Sequence, residues 1–117
     1  MELNNWEYVY KKKEKSNNQF KKLINVACVL GYFNGDKYIK DQLQSILNQK
    51  QETFSLTIFI SDDNSNRNFP LLKNFDLENA ENNDIYYRKL EKNIGYANNF
   101  IFSLRDINLE FDYFCFS

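Results

Sequence analysis

The chain has 117 residues, enough for one small domain or for part of a larger one. Its formal net charge of -1 provides no overall positive field for nucleic acid, and the absence of histidine excludes histidine-based metal sites and general bases. No apolar run approaches the ~18 residues that span a bilayer, and the N-terminus contains acidic residues and no long apolar core, so it does not resemble a signal peptide. A cytoplasmic protein is expected, with any membrane contact peripheral.

Residues 1–22 differ in composition from the rest and are expected to form a polar, basic leader. They hold an aromatic cluster (Trp6, Tyr8, Tyr10), followed by the sequences KKKEK and SNNQ. One interpretation is a solvated leader with one helical or extended turn packed on the domain. The other is a basic and aromatic patch for anionic lipid or a partner. Interspersed glutamates dilute the positive charge and favour the first interpretation.

Residues 23–117 alternate between strand and helix patterns and are expected to form one domain. Apolar and β-branched runs predict strands over residues 23–30, 55–61, 85–90 and 112–117. Apolar residues at helical spacing predict helices from Ile39 to about residue 49, from Pro70 through Phe75, and from Tyr96 to about Ile107. The last helix is predicted to pack through Ala97, Phe100, Ile101, Leu104 and Ile107.

This β-α-β-α-β-α-β order predicts the fold class. It favours a mostly parallel, open α/β sheet with helices on both faces and the first of the four strands central. The two cysteines, Cys28 and Cys115, lie in apolar runs far apart in sequence, without a C-x-x-C pair. They are therefore expected to be buried, reduced and on neighbouring strands.

The sequence FISDDNSN, residues 59–66, ends the second predicted strand in two adjacent aspartates, Asp62 and Asp63. Two like charges at the end of a buried strand are costly unless something offsets them. Ligands of parallel sheets bind at the carboxyl ends of the strands, where GYFN, residues 31–34, also falls. The aspartates are therefore expected to face a ligand crevice at this edge.

The residue types restrict the ligand. Neither G-x-G-x-x-G nor a P-loop occurs, so the backbone cradle that binds pyrophosphate in dinucleotide-binding folds is missing. An acidic pair suits the N–H groups of a base, ribose hydroxyls or a divalent cation, and Tyr32 and Phe33 can stack on a planar base. These features indicate a nucleoside diphosphate.

Two other interpretations of the DDNS sequence compete with a nucleotide site. It is also ordinary turn chemistry, in which Asp or Asn caps a following helix. A receiver-type phosphorylation domain is disfavoured, because its acidic pair normally follows the first strand of the fold.

Four segments in order, VACVLGYFNGDKYIKDQLQSILNQ, FISDDNSN, NIGYANNF and DYFCFS, resemble family 2 glycosyltransferases of the GT-A fold. The resemblance covers about residues 24–117 and is strongest to bacterial enzymes that build capsule, O-antigen or rhamnose-containing polysaccharide. It implies that Asp63 accepts a hydrogen bond from the base and that Asp62 supports it. Where the family has a Thr-x-Tyr-Asn type sequence, Gly31 lacks a side-chain contact and Phe33 lacks a hydroxyl. The positions that match the nucleotide-binding pattern are Gly31, Tyr32, Phe33, Asn34, Asp62, Asp63, Asn93, Gly95, Tyr96 and Asn98.

In that family a strand like DYFCFS leads into an acidic D-x-D stretch that binds Mg²⁺ or Mn²⁺ against the donor diphosphate. The chain ends at Ser117, where that stretch is expected to begin. The resemblance thus implies the nucleotide-binding half of an inverting, metal-dependent transferase, truncated before the metal site, the catalytic base and the acceptor half. Neither a bound metal nor catalytic residues are expected in these 117 residues alone.

The expected partners are a UDP- or dTDP-sugar and, through the missing half, a saccharide acceptor in cell-surface polysaccharide synthesis. Nucleic acid is not an expected partner, and self-association through an exposed sheet edge is compatible with the pattern. The donor sugar, the linkage and the choice between uracil and thymine stay open. The alternative function is a non-catalytic α/β module that binds a nucleotide or a partner.

Overall fold

A computed structural model describes residues 6–11, 24–49, 53–70, 76–80, 83–107 and 110–117. Within these ranges the chain forms one five-stranded sheet, with strand order β1-β4-β3-β2-β5, and two helices. In chain order the elements are β1 (Glu7–Tyr10), β2 (Ile24–Tyr32), α1 (Ile39–Leu47), β3 (Phe54–Asp62), β4 (Asp84–Lys89), α2 (Tyr96–Asp106) and β5 (Tyr113–Phe116).

The pairing confirms the predicted α/β class with a mostly parallel sheet. Strand β2 pairs in parallel with β3 and β5, and β3 pairs in parallel with β4. The first predicted strand, β2, is interior as expected, but β3 holds the middle position because β1 adds a fifth strand beyond β4. The helix predicted from Pro70 through Phe75 falls largely on residues 71–75, which lie outside the described residues.

Two apolar clusters lie on opposite faces of the sheet, because successive side chains of a strand alternate between faces. One cluster joins Cys28 and Leu30 of β2 to the buried positions of α1. The other joins Ala27 and Val29 to Ile107, just after α2. The two helices therefore cover opposite faces, as predicted.

Strand β1 lies within the predicted leader and was not predicted as a strand. Its four residues pair antiparallel with β4, with Glu7 opposite Tyr87 and Tyr8 opposite Tyr86. An extended turn packed on the domain was one of the conformations expected for the leader. The structure adds that this turn is an edge strand of the sheet.

The buried face of α2 differs in part from the prediction: Ile107 is buried and Phe100 packs on the same cluster, as predicted, but Ala97 and Ile101 are exposed. Asn99 and Ser103 are its buried residues, whereas Ile101 and Phe102 are about half exposed. The reason is that α2 covers polar side chains of the sheet, Ser61 and Arg88, which require polar partners.

The cysteine prediction is correct in pairing and wrong in burial for one residue. Cys28 and Cys115 are direct neighbours on β2 and β5, and neither forms a disulfide. Cys28 is 3% exposed, but Cys115 is exposed. The difference arises because Phe114 and Phe116 of β5 pack on one cluster, leaving the other face of this strand, with Tyr113, open to solvent.

We expect the two thiols to react at very different rates. Burial and, secondarily, the neighbouring Cys115 raise the pKa of Cys28 to about 12, so its thiolate is scarce at neutral pH. In native protein, a Cys28→Ala variant should label rapidly at Cys115, and a Cys115→Ala variant should label slowly at Cys28 until denaturant is added. Equal native rates for the two single-cysteine variants would contradict the assignment of β5.

Candidate functional site

Three chain segments meet at the carboxyl ends of β2, β3 and β4. The Asp63 backbone N–H donates to the carbonyl of Tyr32 at 2.8 Å, and the Leu90 N–H donates to the carbonyl of Asp62 at 2.8 Å. These bonds continue the parallel ladders past the strand ends. The loops that follow the three strands therefore lie side by side, as the topology predicted.

The Asp63 carboxylate is directed at the loop before α2. Its Oδ1 accepts the backbone N–H of Ile94 at 2.7 Å, and its Oδ2 accepts the backbone N–H of Gly95 at 2.9 Å. The side-chain amide of Asn93 also donates to Oδ2, at 3.0 Å. Asp63 is only 5% exposed, so these three donors supply most of the stabilisation of its charge. With about two acceptor positions on each oxygen, Oδ1 has a second acceptor position that none of these three hydrogen bonds uses.

Asp62 is fully buried and has different partners. Its Oδ1 accepts the backbone N–H of Ser65 at 2.9 Å, which is the turn-supporting role predicted for it. Its Oδ2 accepts the hydroxyl of Tyr87 at 2.5 Å. Burial, together with this hydrogen bond and the charge of Asp62, raises the pKa of Tyr87 above its ordinary range.

The loop after β2 is tied to the loop after β3. The backbone N–H of Asn34 donates to Ser65 Oγ at 2.8 Å, and the N–H of Asn66 donates to Asn34 Oδ1 at 2.9 Å. Asn34 has a φ of 52°, in the left-handed region that asparagine tolerates better than most residues. Asn34 therefore holds the two loops together through both its backbone and its side chain.

The two aromatic residues predicted to stack on a base have different environments. Tyr32 is buried, its hydroxyl donates to Asp36 at 2.8 Å, and its ring contacts Phe69 edge-on. It shares the α1 face with other buried residues of β2, which makes it a core residue and corrects the stacking role considered for it. Phe33 is 50% exposed and is the one of the pair available to a ligand. A Cβ added at Gly31 would meet the Phe116 ring at 3.5 Å, an ordinary contact distance.

Of the four predicted site residues between Asn93 and Asn98, two contact the Asp63 carboxylate. Asn93 and Gly95 contact the carboxylate directly, and Gly95 has a φ of 85° that a residue with a side chain would rarely adopt. Tyr96 is exposed, and its ring packs on Phe116. The side-chain amide of Asn98 donates to the carbonyl of Ile94. Tyr96 and Asn98 therefore support the loop from the first turn of α2.

A buried arginine beside the site was not predicted. Arg88 of β4 is 4% exposed, pairs with Asp106 through Nη1, and donates from Nη2 to Ser103 Oγ at 2.8 Å. Its guanidinium lies between two aromatic rings, 4.3 Å from the centroid of Trp6 and 4.9 Å from that of Phe102. Burial lowers the pKa of Arg88, and the negative charge of Asp106 opposes that effect.

The contacts of Arg88 continue to the end of β3. Its Nε donates to Ser61 Oγ at 3.2 Å, and Ser61 in turn donates to Asn99 Oδ1 at 2.6 Å. The Asn99 amide returns a hydrogen bond to the carbonyl of Ser61 at 3.0 Å. A signal for this network exists in the sequence: Asn99, Ser103 and Asp106 recur at helical spacing and so share one polar face of α2.

A cavity of about 800 Å³ opens on the β4 side of the loop before α2. Its lining is mixed in charge and shares Ile94 with the surroundings of Asp63. The lining residues are Glu7, Tyr87, Arg88, Lys89, Leu90, Glu91, Lys92, Ile94 and Phe102.

The carboxylates of Asp62 and Asp63 are used by protein donors. Among the described residues, no three histidine, cysteine, aspartate or glutamate side chains come together as a candidate metal site. Asp62 and Asp63 already accept N–H and O–H donors on all four carboxylate oxygens. These oxygens are oriented toward protein donors and are poor candidates for metal ligands.

The chain is similar to a curated protein of Shigella flexneri named dTDP-rhamnosyl transferase RfbG. The two are 37% identical over 87 residues, which make up 73% of this chain and 29% of that protein. The chain therefore spans less than a third of the length of this relative. No protein-family model and no solved structure matches the chain. Of the helices in the described ranges, none has the length and apolar character required to cross a bilayer.

We expect Tyr87 to make folding stability sensitive to alkaline pH. Its folded-state pKa is raised above the ordinary value of 10.0, so its contribution is complete below about pH 10 and is lost as pH rises further. Tyr87→Phe should lower the free energy of unfolding at pH 7 by about 1.5–3 kcal/mol, since it removes a hydrogen bond to a charged group. The same variant should flatten the decline in stability above about pH 10.

Urea unfolding at a series of pH values measures both effects. Tyr38→Phe is the matched control, because Tyr38 is 72% exposed, and it should change neither the stability nor the slope. An unchanged alkaline slope in Tyr87→Phe would show that the Tyr87–Asp62 hydrogen bond does not persist in solution.

Proposed function

We propose that this chain is the nucleotide-binding portion of a glycosyltransferase that uses a nucleoside-diphosphate sugar as donor. One observation carries the proposal: Asn34 and Ser65 join the loops after β2 and β3, and Asp63 joins the loop after β3 to the loop before α2. This junction lies at the sheet edge where open α/β folds bind ligands. The similarity to a protein named as a dTDP-rhamnosyl transferase supports the same class of ligand.

A pyrimidine base is the part of the donor that these residues suit best. The second acceptor position on Asp63 Oδ1 matches the imide N–H that thymine and uracil share. Phe33, half exposed on the neighbouring loop, offers an apolar ring for the face of the base. The donor is accordingly a dTDP- or UDP-sugar, and the acceptor is a saccharide of a cell-surface polysaccharide.

In the reaction of a complete inverting enzyme of this class, an acceptor hydroxyl attacks the anomeric carbon, a carboxylate base takes its proton, and the nucleoside diphosphate leaves. The residues of this chain contribute binding and orientation of the nucleotide. No catalytic base is assigned to them. Metal dependence belongs to what the resemblance implies for a complete enzyme, and nucleotide binding by these 117 residues is proposed to be independent of metal.

A non-catalytic module is the second candidate, and one observation favours it. Asp62 and Asp63 both have internal partners, as expected of a capped turn that binds nothing. Base selectivity separates the candidates, because a capped turn gives no preference for pyrimidines. A cytoplasmic location, peripheral membrane contact and self-association through the β5 edge remain predictions.

Calorimetry with dTDP, UDP and ADP tests the proposed function. We expect dTDP and UDP to bind the wild-type chain more tightly than ADP, with little change when Mn²⁺ is added or EDTA replaces it. Phe33→Ala should weaken dTDP binding about five- to a hundredfold, the range that loss of a stacked aromatic produces. Phe33 is the more informative position, since truncation of Asp63 would also release the N–H groups of Ile94 and Gly95.

Tyr38→Ala provides the matched control for Phe33→Ala. Tyr38 is another exposed aromatic residue on the same connection between β2 and α1, and its loss should leave dTDP affinity unchanged. Equal affinity for dTDP and ADP, or an equal loss in the two variants, would refute the proposed base site and favour the non-catalytic module.

A further inference from the structure

Contacts with buried charged groups hold helix α2 at both ends. At its start, Asp63 binds the N–H groups of Ile94 and Gly95, immediately before the helix. At its end, Asp106 pairs with Arg88 of β4. The position of the loop that surrounds Asp63 therefore depends on how firmly the far end of α2 is held against the sheet.

Trp6 also contacts the C-terminal end of α2. Its indole N–H donates to Asp106 Oδ2 at 2.9 Å, the same oxygen that pairs with Arg88. Its ring lies 4.3 Å from the guanidinium carbon of Arg88 and contacts Phe59 edge-on. Trp6 is itself buried, although it precedes the first residue of β1 and belongs to a segment with the composition of a solvated leader.

A polar path connects Trp6 with the strand end that carries Asp63. Arg88 uses its three nitrogens on three residues of two elements: Asp106 and Ser103 of α2, and Ser61 of β3. Ser61 is two residues before Asp63 and exchanges two hydrogen bonds with Asn99 of α2. Each link in the path is a direct contact between side chains or between a side chain and the backbone.

Trp6 both covers the Arg88–Asp106 pair and stabilises it. A buried guanidinium is stabilised only while its donors are paired and water is excluded. Asp106 is partly exposed, so the ring and N–H of Trp6, together with the ring of Phe102, limit competition by water at the Arg88–Asp106 pair. Weakening that pair would loosen α2 at the end opposite the loop.

We propose that Trp6 is a positioning residue for the nucleotide site: through Asp106 and Arg88 it sets the placement of α2, and thereby the geometry of the Asp63 loop. Trp6 would then control the Asp63 loop from the opposite end of α2. The part of this inference that concerns nucleotide affinity rests on the proposed function. The part that concerns the position of the Asp63 loop does not depend on the proposed function.

Amide hydrogen exchange by NMR on the full chain tests the proposal. Trp6→Phe keeps an aromatic ring but removes the N–H donor and part of the cover over Arg88. We expect exchange at Ile94 and Gly95 to become about two- to thirtyfold faster relative to the amides of β2, the range expected for coupling along a side-chain network. Affinity for dTDP should weaken by a factor within the same range.

Tyr8→Phe is the control within the same segment. It removes one hydroxyl contact, between Tyr8 and Tyr86 at 2.7 Å, and no contact of Arg88. It should leave the exchange ratio and dTDP affinity unchanged. A merely structural role of Trp6 would accelerate all core amides together and would leave the ratio between the loop and β2 as in the wild type.

Ser103→Ala provides a second test that leaves β1 intact, and it decides the matter if Trp6→Phe does not fold. It removes the acceptor of Arg88 Nη2 on α2 and should also accelerate Ile94 and Gly95 selectively. The proposal is overturned if Trp6→Phe folds and leaves the exchange ratio unchanged, or, where Trp6→Phe does not fold, if Ser103→Ala leaves it unchanged. A wild-type chain that binds no pyrimidine nucleotide would refute the proposed function, while the exchange ratio would still decide the role of Trp6.

Discussion

The Asp63 carboxylate and its bonds to the loop before α2 are the constraint on which the rest of the site depends. A nearly buried carboxylate at a strand end must find donors, and the backbone N–H groups of Ile94 and Gly95 provide them. Satisfying this charge brings residues about 30 positions apart into contact. It also fixes where α2 begins, and so forms one wall of the crevice.

Polar contacts also determine how α2 packs on the sheet. Its buried residues are Asn99 and Ser103, and its end is held by the Arg88–Asp106 pair. Directional hydrogen bonds permit fewer orientations than an apolar face, which can repack with little change in energy. The helix is therefore held in one orientation, which is an advantage where its first turn must support a binding site.

The sequence predicted the sheet better than the site. Long β-branched runs and the alternation of strands and helices were sufficient to predict four parallel strands, since local composition and topology rules agree there. Strand β1 was not specified, because four residues carry little periodicity. Tyr32 was considered for stacking although strand alternation places it in the core. The partners of Asp63 and Arg88 are distant in sequence; the helical spacing of Ser103 and Asp106 indicates a polar face of α2 but does not identify Arg88 as its partner.

Backbone amide chemical shifts during a dTDP titration test the central claim most directly. Asn34, Asp63, Ile94 and Gly95 come from three segments that meet only in this fold. The account predicts that their amides shift together with one dissociation constant, while amides at the opposite ends of β2 and β3 do not. Shifts confined to the region of Ile24 and Phe54, or spread evenly over the surface, would contradict it.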